Sequence, residues 1–175
     1  MKFEKQKING VVLIEFEKKS DDRGFFMRCF CKQELKAIDI GFDIIQINRS
    51  FNYKKGTVRG LHFQKKPFAE DKIVQVLQGK IFDVVVDLRK RSSTYKKWIG
   101  VQLSEENQKA LFIPKGCAHG FQTLVNNCEL EYFMSEYYSP DHSSGINLKD
   151  PTINIKWPLP IKIISNKDNN LPNIV

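Results

Sequence analysis

Histidine is scarce in this chain, and what there is does not pair. His62, His119 and His142 are the three in 175 residues, and the second neighbour of His62 is Gln64 rather than another histidine. A small jelly roll that binds metal usually offers an HxH pair, an acid and a further histidine, so no metal is expected here. The four cysteines (Cys29, Cys31, Cys117 and Cys128) contain no CxxC pair. They read as free thiols of a reducing compartment, with Cys29 and Cys31 sharing one face of a strand as small hydrophobes. No stretch reaches the roughly 20 apolar residues that a bilayer span needs. The opening MKFEKQKING lacks an apolar h-region, so no signal peptide is expected and the expected location is the cytoplasm. Linkers, internal repeats and low-complexity tracts are also missing. One domain over residues 1–175, large enough to sustain a real core, is the economical expectation.

What is abundant is positive charge. Lys and Arg number 28 against 20 Asp and Glu, a formal net charge of +8. The lysines are nevertheless scattered as pairs (54–55, 65–66, 96–97), and only the RKR at 89–91 clusters, in a turn. A nucleic-acid footprint would gather these charges on one face. A small polyanion such as a nucleotide diphosphate draws on the same field without that clustering.

Most of the chain reads as short apolar runs broken by turn signals every 8–12 residues, the pattern of a β-sandwich or barrel. Strands are expected at 11–16, 25–31, 43–51, 57–64, 72–78, 80–88, 98–103, 110–114, 120–125, 128–134 and 153–157. Gly79 and Asn126-Asn127 punctuate hairpins, since both residue types tolerate positive φ. The clearest helix is 32–40, with Gly41 at its C′ position, and Ser104 caps a single turn through Asn107. The fold class expected is all-β, an antiparallel double-sheet jelly roll with short peripheral helices.

Some polar residues stand where a core is expected. Asp83 and Asp87 are four apart in IFDVVVDL and share one face of a strand. Either that face is a solvated edge, or the two acids line a cavity where one orients a histidine or pairs with an arginine. Arg59 and His62 lie in TVRGLHFQ, three apart, and would face opposite sides of a regular strand. Gly60 between them permits a bulge that brings both to one cavity. His119, in IPKGCAHGF, emerges from a turn at Pro114 and Gly116. Each histidine reads on spacing alone as a structural residue or as a catalyst.

Seven segments then match a known pattern in order and spacing: DDRGFF (21–26), QINRSF (46–51), RGLHFQ (59–64), IPKGCAHGFQTL (113–124), EYFMSEYYSP (131–140), DPTINIKWP (150–158) and ISNKD (164–168). Together they resemble the dTDP-4-dehydrorhamnose 3,5-epimerase family, the RmlC-like cupins, over nearly the whole chain. The resemblance implies a homodimeric jelly roll acting on a nucleotide-linked 4-keto-6-deoxy sugar, with no cofactor, no nucleic acid and no membrane. It implies His62 as base, Asp168 as the acid that orients it, Tyr132 as proton donor and Lys72 beside the keto oxygen. It further implies Arg23, Arg59 and Lys167 as diphosphate or sugar contacts, with Phe26 a further substrate contact. Gln46, Asn48 and His119 would line the site, and Tyr138 would stack on the nucleobase.

The chemistry needs these residue types. A C–H beside a ketone is acidic enough to lose its proton because the anion is an enolate. Neutral histidine, with an ordinary pKa of about 6.5, suits the base role. Tyrosine, near 10, still carries its proton at neutral pH, and a lysine ammonium stabilises the enolate oxygen. Two positions depart from the family pattern. Arg28 stands where many members carry glutamate, and Ser143 where they often carry another acid, which leaves the nucleoside open to a GDP- or CDP-linked sugar or heptose. A sugar 3,4-ketoisomerase and a non-catalytic carbohydrate-binding jelly roll are the competing classes. Intact His62, Asp168 and Tyr132 favour the epimerase.

Overall fold

Alternation along the strands decides which residues reach the interior. In the run from Lys80 to Asp87, Ile81 and Val85 join one apolar cluster while Val84 and Val86 join another. That is the period-2 signature of a strand buried on both faces. The computed structural model describes residues 1–174. Its strands are β1 (Lys2–Lys5), β2 (Val12–Glu15), β3 (Lys18–Asp21), β4 (Gly24–Met27), β5 (Gln46–Asn52), β6 (Val58–Gln64) and β7 (Lys72–Gln78). They continue with β8 (Lys80–Asp87), β9 (Trp98–Ser104), β10 (Lys109–Ile113), β11 (Cys117–Thr123), β12 (Cys128–Met134) and β13 (Ser143–Gly145). Two short helices, α1 (Lys32–Lys36) and α2 (Asn166–Asn169), sit at the periphery.

A six-stranded sheet in the order β1-β2-β10-β7-β12-β5 faces a five-stranded sheet in the order β13-β6-β11-β8-β9. Every pairing within them is antiparallel, which is the expected jelly-roll architecture. Leu13, Val74, Leu111 and Leu130 of the first sheet meet Ile81, Val85, Leu103 and Phe121 of the second in the sandwich interior. The outer face of the first sheet is covered by Leu35, Ile40 and Phe42. Ile146, Leu148, Ile153 and Ile155 cover the outer face of the second. Among the described residues no helix is long and apolar enough to cross a membrane.

Three local expectations fail for identifiable reasons. The strand at 25–31 ends at Met27. Cys29 and Phe30 instead pack against the outer cluster of the first sheet, and Cys31 becomes the N-cap of α1, so the two cysteines share no strand face. The helix expected over 32–40 stops after Lys36. Asp39 takes the left-handed conformation (φ 63°) assigned to Gly41, and the Ile40 N–H donates back to the Leu35 carbonyl at 3.0 Å, which closes the helix early. The segment 153–157 is not a strand. Asp150 accepts N–H donations from Thr152, Ile153 and Asn154, and Asn154 is left-handed at φ 51°. The chain therefore curls, and Ile153 and Ile155 cap a sheet rather than extend one.

Asp87 shows how the interior tolerates charge. Its side chain is fully buried. It accepts from Arg89 Nε at 2.8 Å and Nη2 at 2.8 Å, from Ser92 Oγ at 2.5 Å and from Thr94 Oγ1 at 2.6 Å. Burial alone would push the carboxyl up, but these donors outweigh it and hold it at about 2. Asp87 thus pins the turn at 88–97 to the end of β8, and Arg89 extends the tie to the Asn9 carbonyl. Asp87→Asn is expected to cost about 3 kcal/mol at pH 7 in urea unfolding, because it leaves Arg89 without its counter-charge. A carboxyl held low contributes stability above its ordinary value, and that contribution is lost as pH falls towards 2. The gap between wild type and variant should therefore close in that window. A gap that stays constant between pH 7 and pH 2 contradicts this account.

Candidate active site

β6 and β11 pair with His62 opposite His119 and Arg59 opposite Phe121, so two residues of β6 stand against Gly120 alone. This is the bulge that Gly60 permits. Val58 and Leu61 turn to the outer cluster, and Arg59 and His62 both face inward to one cavity. Gly60 holds φ +113°. A Cβ there would lie 2.7 Å from both the Gly120 Cα and the His119 carbonyl, so no other residue fits without moving a strand.

The cavity opens between the two sheets as adjoining hollows of about 430 and 470 Å³ that share Asn48, His62, Lys72, Met134 and Lys167. Arg59, His119, Tyr132 and Asp168 line the first hollow, while Gln46, Gln64, Glu70, Tyr138 and Ser143 line the second. His62 comes from the five-stranded sheet and Tyr132 from the six-stranded sheet opposite. The two groups therefore approach the space between them from facing walls.

His62 Nε2 lies 2.7 Å from Asp168 Oδ1. Asp168 is fixed in turn: its Oδ2 accepts the Gly60 N–H at 3.0 Å, and its own N–H donates to Ser165 Oγ at the start of α2. The aspartate thereby selects the tautomer and leaves Nδ1 as the free nitrogen. Burial lowers the His62 pKa, Asp168 raises it, and the charges of Lys167 and Lys72 lower it again, with a net lowering. The imidazole is a neutral base at neutral pH. Tyr132 moves the other way. Burial pushes its phenol above the ordinary value, Ser50 and Arg59 oppose this, and Asp83 adds to it. Its hydroxyl lies 3.1 Å from Ser50 Oγ, so the group stays a proton donor.

Lys72 is buried and ion-pairs with buried Glu70 at 2.8 Å, so the cavity holds a fixed ammonium. His119 repeats the arrangement of His62, its Nε2 lying 2.7 Å from Asp83 Oδ1 and its ring standing edge-on to Tyr132 at 6.3 Å between centroids. Asp83 is fully buried, and its Oδ2 has no hydrogen-bond partner. Both acids of β8 thus face the interior, one behind a histidine and the other on an arginine. Among the described residues no three of His, Cys, Asp and Glu gather as a metal-ligand set.

The structure gathers ten of the twelve residues named from sequence: His62, Tyr132, Asp168, Lys72, Gln46, Asn48, Arg59, His119, Tyr138 and Lys167. Asp168, itself buried, closes the dyad in the wall of the first hollow. Arg23 and Phe26 are elsewhere. They lie on the β3–β4 hairpin, where the Arg23 side chain is 91% exposed and pairs with Asp21 at 2.6 Å, and Phe26 is 71% exposed. Arg28 also lies away from the cavity, paired with Glu34 at 2.7 Å, whereas Ser143 stands beside Tyr138. Sequence reasoning passed over Ser50, Gln64 and Glu70. For Glu70 there was one available signal, because an acid two residues before Lys72 has the spacing that puts both side chains on one side of an extended chain.

Comparison with known proteins places the chain in a family and matches its fold. The family model described as dTDP-4-dehydrorhamnose 3,5-epimerase matches residues 5–175. The curated dTDP-4-dehydrorhamnose 3,5-epimerase of Methanothermobacter thermautotrophicus is 44% identical over 173 residues, 97% of this chain and 92% of the relative. A crystal structure of the Bacillus anthracis dTDP-4-dehydrorhamnose 3,5-epimerase with TDP and PPi bound superposes with a TM-score of 0.96 at 44% identity, covering 99% of each chain. The Legionella pneumophila dTDP-6-deoxy-D-glucose-3,5-epimerase in complex with dTDP-4-keto-L-rhamnose gives a TM-score of 0.92 at 37% identity over 98% of this chain and 92% of the other.

The electrostatics of His62 can be read directly by NMR titration of its ring. In the wild type the ring should titrate below 6.5, the ordinary value. Asp168 raises the His62 pKa, so Asp168→Asn should move the midpoint further down. A midpoint that rises in the variant contradicts the assigned roles of burial and aspartate.

Proposed function

Because the chain belongs to the dTDP-4-dehydrorhamnose 3,5-epimerase family, it is a nucleotide-sugar epimerase, an isomerase, and we propose that it works by enolate formation between His62 and Tyr132 on a dTDP-linked 4-keto-6-deoxy sugar. One observation carries this reading: a neutral imidazole and a buried phenol line one cavity from opposite sheets.

The step balances as follows. His62 takes the proton from the carbon beside the ketone. The electron pair of that C–H bond moves into the ring and onto the keto oxygen as an enolate. Lys72 stabilises the developing charge, an effect of about 3 kcal/mol for one well-placed donor in a dry site. Tyr132 then gives its proton to the same carbon from the other face, inverting it, and solvent restores both groups. Asp168 stabilises the imidazolium while it exists. No redox partner is required, because substrate and product are isomers. Arg59, Lys167 and the cavity's positive field hold the diphosphate, guanidinium being suited to bidentate contact with phosphate.

The protein acts as a homodimer in this reading. The β3–β4 hairpin carries Arg23 and Phe26 out from the body, beyond reach of the cavity in their own chain. The edge strand β5 and its flanks expose Ile45, Ile47, Phe51 and Tyr53, an apolar stripe that suits a second copy. A hairpin that crosses to the partner brings Arg23 and Phe26 to the partner's substrate. The whole chain serves as one catalytic domain, since the cavity draws on residues from Gln46 to Asp168. Its four free thiols suit the cytoplasm.

Incubation with dTDP-4-keto-6-deoxyglucose in deuterium oxide should place deuterium at C3, C5 or both, and His62→Ala should abolish it. Tyr132→Phe should retain exchange while losing inversion. Equal loss of both removes Tyr132 as the acid, and exchange with GDP- or CDP-linked substrates alone replaces the nucleoside. Mixing inactive Arg23→Ala and His62→Ala proteins should regenerate about a quarter of wild-type activity, because half the dimers are mixed and each has one intact site. No recovery after verified subunit exchange contradicts the crossed hairpin.

A further inference from the structure

Gln64 closes the RGLHFQ segment, and the mechanism leaves it without a role, yet it is one of the most fully bonded side chains at the cavity. It is buried at 7% exposure. Its Nε2 donates to the Phe68 carbonyl at 2.8 Å and to the Tyr137 carbonyl at 3.1 Å, and its Oε1 accepts the Ser139 N–H at 2.6 Å. One amide thus grips the backbone on both sides of Tyr138. The Gln64 N–H donates to Glu70 Oε2 at 3.2 Å, and Glu70 holds Lys72, so the same residue ties the turn to the catalytic ammonium.

Tyr138 itself is 59% exposed. Its own N–H donates to Gln46 Oε1 at 3.2 Å, among the described residues the one further tertiary bond in the stretch 137–139, where no strand pairs. A ring that serves as a stacking platform from so open a position must be mounted rigidly, or binding must order the turn each time. We propose that Gln64 is a positioning residue for nucleoside recognition, presetting the 137–139 turn so that Tyr138 meets the base without reorganisation. This rests on the reading of Tyr138 as the base-stacking residue.

The test separates the nucleoside from the rest of the ligand. Calorimetry with dTDP and with inorganic pyrophosphate is run on wild type, Gln64→Met, Tyr138→Ala and the double variant. Gln64→Met should weaken dTDP binding about tenfold, in the range of one base–aromatic stack. Pyrophosphate affinity and kcat at saturating substrate should hold, so the loss falls on KM. In the Tyr138→Ala background the Gln64 change should cost nothing more, since the two act as one unit. Equal weakening of dTDP and pyrophosphate, or a fall in kcat, marks a general structural role and overturns the proposal. If Tyr138→Ala weakens dTDP binding and Gln64→Met does not, the proposal alone fails. If Tyr138→Ala has no effect, the stacking reading fails and the proposal with it. Should Gln64→Met not fold, Gln64→Asn, one methylene shorter, carries the same expectations.

Discussion

Two glycines meet where β6 passes β11, and the distance between them sets the aim of the site. Gly60 and Gly120 approach so closely that a Cβ on either would collide with the other strand's backbone. The bulge that this approach permits turns Arg59 and His62 to the same side while Val58 and Leu61 stay in the outer cluster. Without the slip in register, a regular strand would send one of the two polar residues into apolar packing, at a cost of several kcal/mol for a charged group. The bulge also presents the Gly60 N–H to Asp168, which then reaches His62 with its other oxygen. One backbone irregularity thus places His62 and fixes the aspartate hydrogen-bonded to it.

The interior that surrounds this feature is rich in charge for a sandwich core, and most of that charge is matched locally. Asp168 backs His62, Asp83 backs His119, Glu70 holds Lys72, and Asp87 holds Arg89. Matching lets ionisable groups stand between two sheets without unfolding them, and it also divides their labour. Burial keeps the imidazole neutral and the phenol protonated, so a base and an acid coexist across one cavity at the same pH. Arg59 and Lys167 line the cavity wall without an acid partner among the described residues, which suits them to the diphosphate of the proposed substrate.

The exposed hairpin and the apolar edge strand carry the same logic outward. Arg23 and Phe26 line neither hollow of the cavity, and both side chains stand exposed on the hairpin. In the proposed dimer a second copy would meet both, and it would also cover the stripe from Ile45 to Tyr53.

Much of this was legible before any coordinates. Short apolar runs between turn signals located β7 and β12 to the residue, and β8 to within one; β7 and β8, buried on both faces, announce themselves through Val and Ile, and β12 through alternating apolar residues. The family resemblance, and not spacing alone, singled out His62, Asp168, Tyr132 and Lys72, which the structure gathers at one cavity. Where local signals mislead, tertiary contacts are the reason. Asp39 rather than Gly41 closes α1 because Ile40 is drawn into the outer cluster, and INIKW curls because Asp150 gathers its N–H groups. The partners of the buried charges were not legible: nothing in the chain's order says that Asp83 faces His119 while Asp87 faces Arg89. The strand pattern, the residue types of the chemistry and the family can be read from the order of residues along the chain. Which side chains share a cavity emerges on folding, because a single bulge, set by the approach of two strands distant in sequence, turns Arg59 and His62 to one side.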